Sequence, residues 1–384
     1  MVRIETTDRY LLLGIVQENM KVANVVETDY TTTFTLSGVD KSIANALRRI
    51  IMSEIRCVAM RTAPADKCDV AITVNTCRFN NEIIKQRLSC IPVHIVDMDT
   101  PIDQLVLEVD VCNNTDSFMY VTTEHIKILN IVTDKYLSIE DVREIFPPNP
   151  QTGHYIIITR LRPRLSVEVS GEHVAFTSTL SFVDVAENSM FNVVSTCSYG
   201  NTPDIGRIAH QHKIKGQELK DAGMSGDNVL FELTNWSLHD AQRIFLPDSF
   251  DFTIKTIGVY TCKEILHRAC DKMVEKLNTI QALFETGSAD ISDTDSTIKN
   301  GFDIKLHNED YTVGMIVQHL AYSQYYEEAK TMSYCAAKKL HPHDAFIMIK
   351  LGYVEETTRG RVVENMVSIL QVGVDTFSRL RGMF

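Results

Sequence analysis

Apolar side chains recur along this chain with two different periods, and each stretch of one period marks an element. Leu266, Cys270, Met273, Leu277, Ile280 and Phe284 are separated by alternating steps of four and three. Val363, Met366, Leu370, Gly373, Phe377, Leu380 and Phe384 follow alternating steps of three and four. Both series lay one apolar stripe along a long helix, the seam by which helix packs on helix. Thr261 followed by Glu264 signals a capping box where the first helix begins. A core-facing helix within one domain accounts for a lone seam. Two seams, each closing one part of the chain, point instead to helices paired with each other.

Each part also opens with a shorter helix. Residues 40–54 put Ile43, Leu47, Ile50 and Ile51 on one face, and Lys41, Asn45, Arg48, Arg49 and Met52 on the other. Thr312 can cap a helix whose stripe is Val313, Ile316, Val317 and Leu320. Between the helices the period falls to two. Thr31–Leu36, Val70–Val74, Leu105–Val111, His154–Ile158, Phe250–Ile257, Phe302–Leu306 and Ala345–Leu351 read as strands. Three prolines make 146–153 a loop, because each removes a backbone donor. Each part is thus a small sheet with an early and a late helix. This is an imperfect internal repeat of the α+β class.

The parts meet at 286–297, a small, polar, acidic stretch that reads as a linker and leaves a compact last part at 298–384. Charge divides there too. The chain holds 38 Lys+Arg against 50 Asp+Glu, a net charge of −12. Residues 298–384 hold ten of each, so residues 1–297 carry the whole imbalance. Nucleic-acid wrapping needs a basic face, so strong direct binding to DNA or RNA is not expected.

Of 384 residues, 44% are hydrophobic and 23% charged, the balance of a soluble globular protein. Apolar runs are as short as Ile156-Ile157-Ile158, far from the roughly 20 residues that span a bilayer. The first ten residues lack the apolar core of a signal peptide. These features predict a soluble, intracellular chain with no membrane contact. The nine cysteines are irregularly spaced with no CxxC, so reduced and mostly buried thiols are expected.

Residues 40–60, DKSIANALRRIIMSEIRCVAM, and 79–93, FNNEIIKQRLSCIPV, resemble the alpha-subunit family of DNA-dependent RNA polymerases. That family includes the bacterial alpha N-terminal domain and the third-largest subunit of RNA polymerase II. It carries an N-A-L-R-R helix followed by D-E-x-x-x-H-R-L-G-L-I-P. Arg87, Leu88, Ile91 and Pro92 fit, whereas Asn81, Gln86, Ser89 and Cys90 depart. Gly171–Phe176 is similar to the family's G-x-x-H-A segment, and Phe250–Gly258 with the helix after it to its closing strand and helix. The last part resembles the smaller alpha-like partner, the eleventh subunit of RNA polymerase II. Glu309-Asp310-Tyr311-Thr312-Val313-Gly314 matches its E-D-H-T-L-G, and Lys339–Asp344 matches in part its Y-x-x-P-H-P-L. Fusion of the two resembles the arrangement in some large nucleocytoplasmic DNA viruses. It implies viral origin, with transcription in host cytoplasm or nucleus and packaging in the virion as a further option.

The resemblance implies two alpha-like dimerisation modules that pair within one chain as a pseudo-heterodimer. The first is discontinuous, 1–77 and 185–285, and interrupted by a mainly β subdomain at 78–184; the second is 298–384. The module interface then comprises Ile43, Leu47, Ile50, Ile51, Leu266, Met273, Leu277, Ile280, Val313, Ile316, Val317, Leu320, Val363, Met366, Leu370, Phe377 and Leu380. Gly373 on the last seam either lets another helix approach closely or is a weak spot costing about 1 kcal/mol relative to Ala. Arg48 and Arg49 lie off the apolar stripe, on what is ordinarily a solvated face. The resemblance gives them, and Arg87 beside them, the docking of the second-largest polymerase subunit, for which a guanidinium fork is suited. The implied function is a non-catalytic assembly platform, one monomeric copy per complex. Its partners are the largest, second-largest and small polymerase subunits, and it needs no cofactor.

Zinc binds after the I-P motif in many relatives, but here Cys112 alone follows, so no metal is expected there. Walker, GxSxG, HExxH and DFDGD-like signatures are absent from the sequence. Two other readings remain open. Cys335, His341, His343 and Asp344 fit a metal-dependent hydrolase, or else a Pro-His turn leading into a strand. The same seams also suit a stand-alone homodimeric coiled-coil adaptor, which unlike a platform would change mass with concentration.

Overall fold

The computed structural model describes residues 19–164, 166 and 171–384. The N-terminal decapeptide tested above for a signal peptide lies outside them. The fold is α+β. Strands β1 (Lys21–Glu27) and β2 (Thr31–Ser37) lead into helix α1 (Lys41–Ser53). Next come β3 (Cys57–Ala59), β4 (Val70–Asn75), α2 (Asn81–Ser89), β5 (Leu105–Cys112), β6 (Met119–Thr122), β7 (Lys127–Asn130) and β8 (Lys135–Tyr136). Helix α3 (Ile139–Ile145) precedes β9 (Ile157–Leu161), β10 (His173–Ser178), β11 (Ser181–Val183) and β12 (Val194–Pro203). Helices α4 (Ile205–Asp221) and α5 (Gly226–Leu238) separate β12 from β13 (Phe245–Thr256), and α6 (Cys262–Glu285) follows. The chain ends with β14 (Asp290–Asp293), β15 (Gly301–His307), α7 (Tyr311–Ala321), β16 (Met332–Lys338), β17 (Phe346–Tyr353) and α8 (Arg359–Arg381).

These elements form two compact units. One comprises the described residues up to Ile50 with Thr196–Ile254 and Leu266–Phe384; the other comprises Ile51–Ser195 and Lys255–Ile265.

The first unit contains two four-stranded sheets built alike. Their strand orders are β1-β2-β13-β12 and β14-β15-β17-β16, so in each the second strand pairs with the fourth. The likeness reaches single residues, with a constant shift of 270. Phe34 and Leu36 of β2 face the core as Ile304 and Leu306 do in β15. Gly38 and Asn308 end those strands with positive φ, +72° and 59°. Each then donates its backbone N–H across the sheet, Gly38 to Asp248 and Asn308 to Ala345. Glycine and asparagine are the residues that adopt this left-handed turn at least cost.

Two segments differ from the sequence reading. The stretch 286–297 contains β14, which pairs with β15 and buries Ile291. Its alternation is too short to stand out, but an edge strand needs few apolar side chains. Residues 200–245, which carried no assignment, are largely the helices α4 and α5.

The second unit is organised by the antiparallel sheet β4-β10-β5-β7-β8, with β11-β3 and β6-β9 as two-stranded ladders. Its core gathers Ile84 and Leu88 from α2 with Leu107, Val109, Ile128, Val174 and Phe176 from the sheet. Asn80 caps α2 by accepting from the Ile83 N–H at 3.0 Å. Strand β9 begins later than the sequence pattern places it. Among the described residues, no helix is long and apolar enough to cross a membrane.

Helix α7 lies so close to its own sheet that a Cβ on Gly314 would meet the Ile347 side chain and stand 3.3 Å from the Ala337 Cβ. Replacing Gly314 with Leu should therefore cost about 1–3 kcal/mol through overpacking. Chemical denaturation of the full chain measures it, and an unchanged midpoint would contradict this packing.

Candidate functional site

The site of interest is the set of helices α1, α6, α7 and α8, which lie in the first unit apart from the last turn of α1 from Ile51 and the first turn of α6 up to Ile265. Their apolar stripes are among the most deeply buried positions of the described residues. Ile43, Leu47, Ile50 and Ile51 of α1 are at most 1% exposed. Leu266, Cys270, Met273, Leu277, Ile280 and Phe284 of α6 are at most 5% exposed. Val313, Ile316, Val317 and Leu320 of α7 are buried as well. On α8 the buried face is wider than a three-four seam and takes in Val362, Met366, Ile369, Leu370, Gly373, Phe377 and Leu380. Val363 is only half-buried, and Val362 takes the inward place. The helix is covered on more than one side, so an interior stripe replaces the narrow seam.

Gly373 settles one open point. A Cβ there would lie 3.0 Å from Leu277 of α6 and 3.6 Å from Leu320 of α7. The missing side chain lets α8 approach both helices. It thereby joins elements from the two halves of the unit, β1 to α6 and β14 to α8. Phe34 of β2 stacks on Phe252 of β13, with ring centroids 5.0 Å apart, and takes the edge of Phe384 at 5.0 Å. Phe384 is thus held on the first half's sheet.

Polar contacts between the halves are reciprocal. Asp40 precedes α1 and accepts the Ser42 N–H at 2.7 Å. Asp310 precedes α7 and accepts the Thr312 N–H at 2.7 Å. Asp310, not Thr312, is therefore the cap of α7. A carboxylate two residues ahead reaches the first orphan amides and complements the helix dipole, leaving Thr312 buried. Nine residues past the caps stand Arg49 and His319. Arg49 pairs with Asp310, and His319 lies 3.8 Å from Asp40. Each cap thus faces the basic residue at the equivalent place in the other half.

Burial raises the pKa of Asp310, but hydrogen bonds from Thr312 and the charges of Arg49 and Lys276 outweigh it, leaving it below 3.8. Asp40 is likewise raised by burial, but more strongly lowered by Ser42, His319 and Lys41. Lys276 of α6 meets Glu309 at 3.2 Å with both side chains largely buried, at 17% and 11% exposure. Arg381 of α8 meets Asp271 of α6 at 2.7 Å, about half-exposed.

The predicted docking arginines have separate surroundings. Arg48 bonds Asn45 on its own helix at 2.9 and 3.2 Å. Arg49, read as facing solvent off the stripe, instead spends its guanidinium on Asp310, because α7 lies alongside that face. Arg87, in the second unit, donates to the carbonyls of Ile158 and Ile157 at 2.8 and 2.6 Å, holding α2 to β9. The capping box forms as the sequence predicts: Glu264 accepts from Thr261 N–H at 2.8 Å, and Thr261 Oγ1 accepts from Glu264 N–H at 3.2 Å.

The residues read for a metal-dependent hydrolase form a turn and a strand. The His341 N–H donates to Asp344 at 2.8 Å and the His343 N–H to His341 Nδ1 at 3.1 Å. Cys335 donates to the Gln318 carbonyl at 3.4 Å, and burial pushes its thiol up to about 12. Among the described residues, no group of three or more His, Cys, Asp or Glu side chains is arranged to hold a metal ion. None of the nine cysteines is in a disulfide; four are buried, four half-buried, and Cys90 is exposed, fewer buried than expected. Sequence reasoning missed Asp40, Asp271, Lys276, His319 and Arg381. Charges at helix ends and flanks are ubiquitous, and only the partner helix distinguishes these.

Two outcomes test the site. Both cap carboxyls have lowered folded pKa values, so their contribution is complete above about pH 4 and is lost as the pH falls through those values. Asp40→Asn with Asp310→Asn should lower the denaturation midpoint at pH 7 and flatten its fall on acidification; an unchanged pH profile would refute the assignment. Removing Glu309 by Glu309→Ala should cost about 3 kcal/mol, since it strands the largely buried Lys276. Asp271→Ala, at an exposed pair, should cost under about 1 kcal/mol. Equal losses in denaturant titrations would contradict the burial argument.

Comparison with known proteins bears on this arrangement. The family described as the RNA polymerase Rpb3/Rpb11 dimerisation domain matches residues 33–277. A DNA-directed RNA polymerases I and III subunit, rpac1, of Dictyostelium discoideum is 25% identical over 309 residues, covering 71% of this chain and 84% of the relative. The DNA-directed RNA polymerases IV and V subunit 3B of Arabidopsis thaliana is 24% identical over 308 residues, covering 69% and 91%. A conjugation stage-specific protein of Tetrahymena thermophila is 22% identical over 312 residues, covering 71% and 97%.

Proposed function

Because the chain belongs to the RNA polymerase Rpb3/Rpb11 dimerisation-domain family, we propose that it is a non-catalytic assembly subunit of a multisubunit DNA-directed RNA polymerase, carrying both dimerisation partners in one polypeptide. The observation that carries this reading is the reciprocal contact of Asp40 with His319 and Asp310 with Arg49. In a symmetric dimer each such contact would occur twice with the same residues. Here the two copies have diverged within one sequence, as they do in a heterodimer.

The first module in this proposal is 1–77 with 185–285, the intervening 78–184 is an inserted subdomain, and the second module is 298–384. The family match ends at residue 277, and the proposed second module lies beyond it. The names of the relatives support polymerase membership, since two of them are polymerase subunits. Covalent fusion raises the effective concentration of the partner module to roughly millimolar and fixes one-to-one stoichiometry without any new contact. Fusion also supports the extension to a large nucleocytoplasmic DNA virus as the source.

The platform would offer the outer face of α1 to the second-largest subunit. Arg48 leads the candidates, because its observed bonds stay within its own helix. Arg49 and Arg87 follow, with guanidinium groups already engaged inside the chain. The largest subunit and small subunits complete the assembly, and the chain contributes no catalytic group.

Affinity purification from the native source should recover the two large catalytic subunits at one copy each. Arg48→Glu should deplete the second-largest while the chain keeps its melting temperature. Sedimentation of the isolated chain should give a monomer mass at every concentration. A homodimer whose mass follows concentration, with no large subunits recovered, would replace this reading with a stand-alone adaptor.

A further inference from the structure

The second unit holds a cavity of about 640 Å³, walled by the end of β5, the 3₁₀ turn Thr123–His125, strand β8 and helix α3. Its floor belongs to the core of that unit. Ile126 and Phe146 are buried in the core, and Val111, Leu137 and Val142 pack against it. Its mouth is marked by Ile139, the most exposed large apolar side chain described at 80%, and by Tyr136 at 56%. A concave site of this volume, with an apolar floor and a few polar groups on its wall, has the build of a small-molecule site.

The polar groups on that wall are mainly donors with capacity to spare. Arg143 of α3 donates through Nε to the Tyr155 hydroxyl at 2.8 Å, and its two Nη groups make no further hydrogen bond among the described residues. Lys127 of β7 has no ion pair among those residues. His125 Nδ1 accepts the Thr122 N–H at 3.2 Å, so the neutral ring carries its proton on Nε2 as a donor. Thr123 is 1% exposed, and its hydroxyl finds no hydrogen-bond partner among the described residues. Buried hydroxyls are ordinarily bonded, so this one marks a place where an acceptor is wanted.

The carboxylates around the cavity are mostly engaged elsewhere. Asp110 lies 2.6 Å from His173 Nε2, and Glu108 accepts the Tyr136 hydroxyl at 2.7 Å. Asp141 accepts from the Ser138 hydroxyl at 2.8 Å and from its N–H at 3.2 Å, capping α3. Glu140 and Glu144 of α3 are exposed and outside the lining, which leaves Glu124 as an exposed acid at its edge. Donors and positive charge therefore exceed what the wall itself uses, and the group they suit is an anion. Tyr136, Phe146 and Tyr155 add three rings to the lining, whose faces and edges suit a flat apolar body.

We propose that this cavity binds a flat, apolar organic anion, an aromatic carboxylate or sulfonate. The ring system would cover the floor at Ile126, Val142 and Phe146. The anionic oxygens would meet Arg143 and Lys127, and an acceptor atom of the ligand would take the Thr123 hydroxyl. An inorganic anion fits less well, because it would leave the apolar floor uncovered. A neutral hydrocarbon fits less well too, because it would displace water from the guanidinium and ammonium groups and give them no acceptor. Nothing in the assembly role requires this site, so the inference stands apart from it.

The probe is anilinonaphthalene sulfonate, and its control is phenylnaphthylamine, the same ring system without the sulfonate. Titrated into the full chain, the sulfonate should gain emission saturably. In a methyl-labelled chain it should shift the resonances of Val111, Ile126 and Val142. The neutral control should bind about tenfold more weakly, the loss expected of a hydrogen bond to a charged group. Lys127→Gln with Arg143→Gln, both at exposed positions, should weaken the sulfonate by about tenfold and the control little. Thr123→Val keeps the shape of the side chain and should weaken the sulfonate by about threefold. Its melting temperature should not fall, because the fold loses no hydrogen bond. Methyl shifts confined to other residues, equal affinity for the two dyes, or affinity indifferent to these substitutions overturns the proposal. So does a chain from the native source in which a bound polypeptide shields the same methyls and excludes the dye, which would make the cavity a protein contact.

Discussion

A helix that is apolar along one side has to be covered, and that requirement governs the first unit. Its two small sheets have orders β1-β2-β13-β12 and β14-β15-β17-β16. Each is followed or interrupted by helices whose faces carry Ile, Leu, Val, Met and Phe. Burying one such side chain contributes about 1.5–3 kcal/mol, and α8 alone buries more than half a dozen. At Gly373, α8 comes close to Leu277 and Leu320, one of the tight points of this covering. A side chain there would press first on Leu277, and a large one on elements from both halves of the unit.

Apolar burial has little directional preference, so polar contacts set the register. Asp40 and Asp310 each do two jobs, satisfying orphan amides at a helix start and facing a basic side chain from the other half. Such pairs add little energy where water reaches them. They do make a slipped arrangement costly, because a slip would leave both half-buried carboxylates without their basic partners. Lys276 and Glu309, more deeply covered, bear more of that burden.

The α4–α5 hairpin shows the opposite balance. Its seam is satisfied internally through Gly216, Leu233, His212 and Trp236, yet α5 presents leucine and phenylalanine to water. In the four helices of the core, by contrast, the chain supplies its own cover.

What the sequence determined by itself was local and periodic. The long seams of α6 and α8, the stripes of α1 and α7, the Thr261–Glu264 capping box and the strands β2, β5, β15 and β17 follow from spacing and residue type. Those are set by neighbours three or four positions away, or by alternation. The internal repeat was visible as an order of elements. Tertiary structure decided what depends on partners distant in sequence. It turned Arg49 from a solvent-facing side chain into the partner of Asp310, and moved the α8 face from Val363 to Val362. It drew 290–293 into a sheet and gave Gly373 the role of contact point. The helices at 205–238 escaped notice because their apolar residues are split between two faces, which blurs the period on which the reading relies. In each case the deciding term was burial against a surface that no stretch of sequence specifies alone.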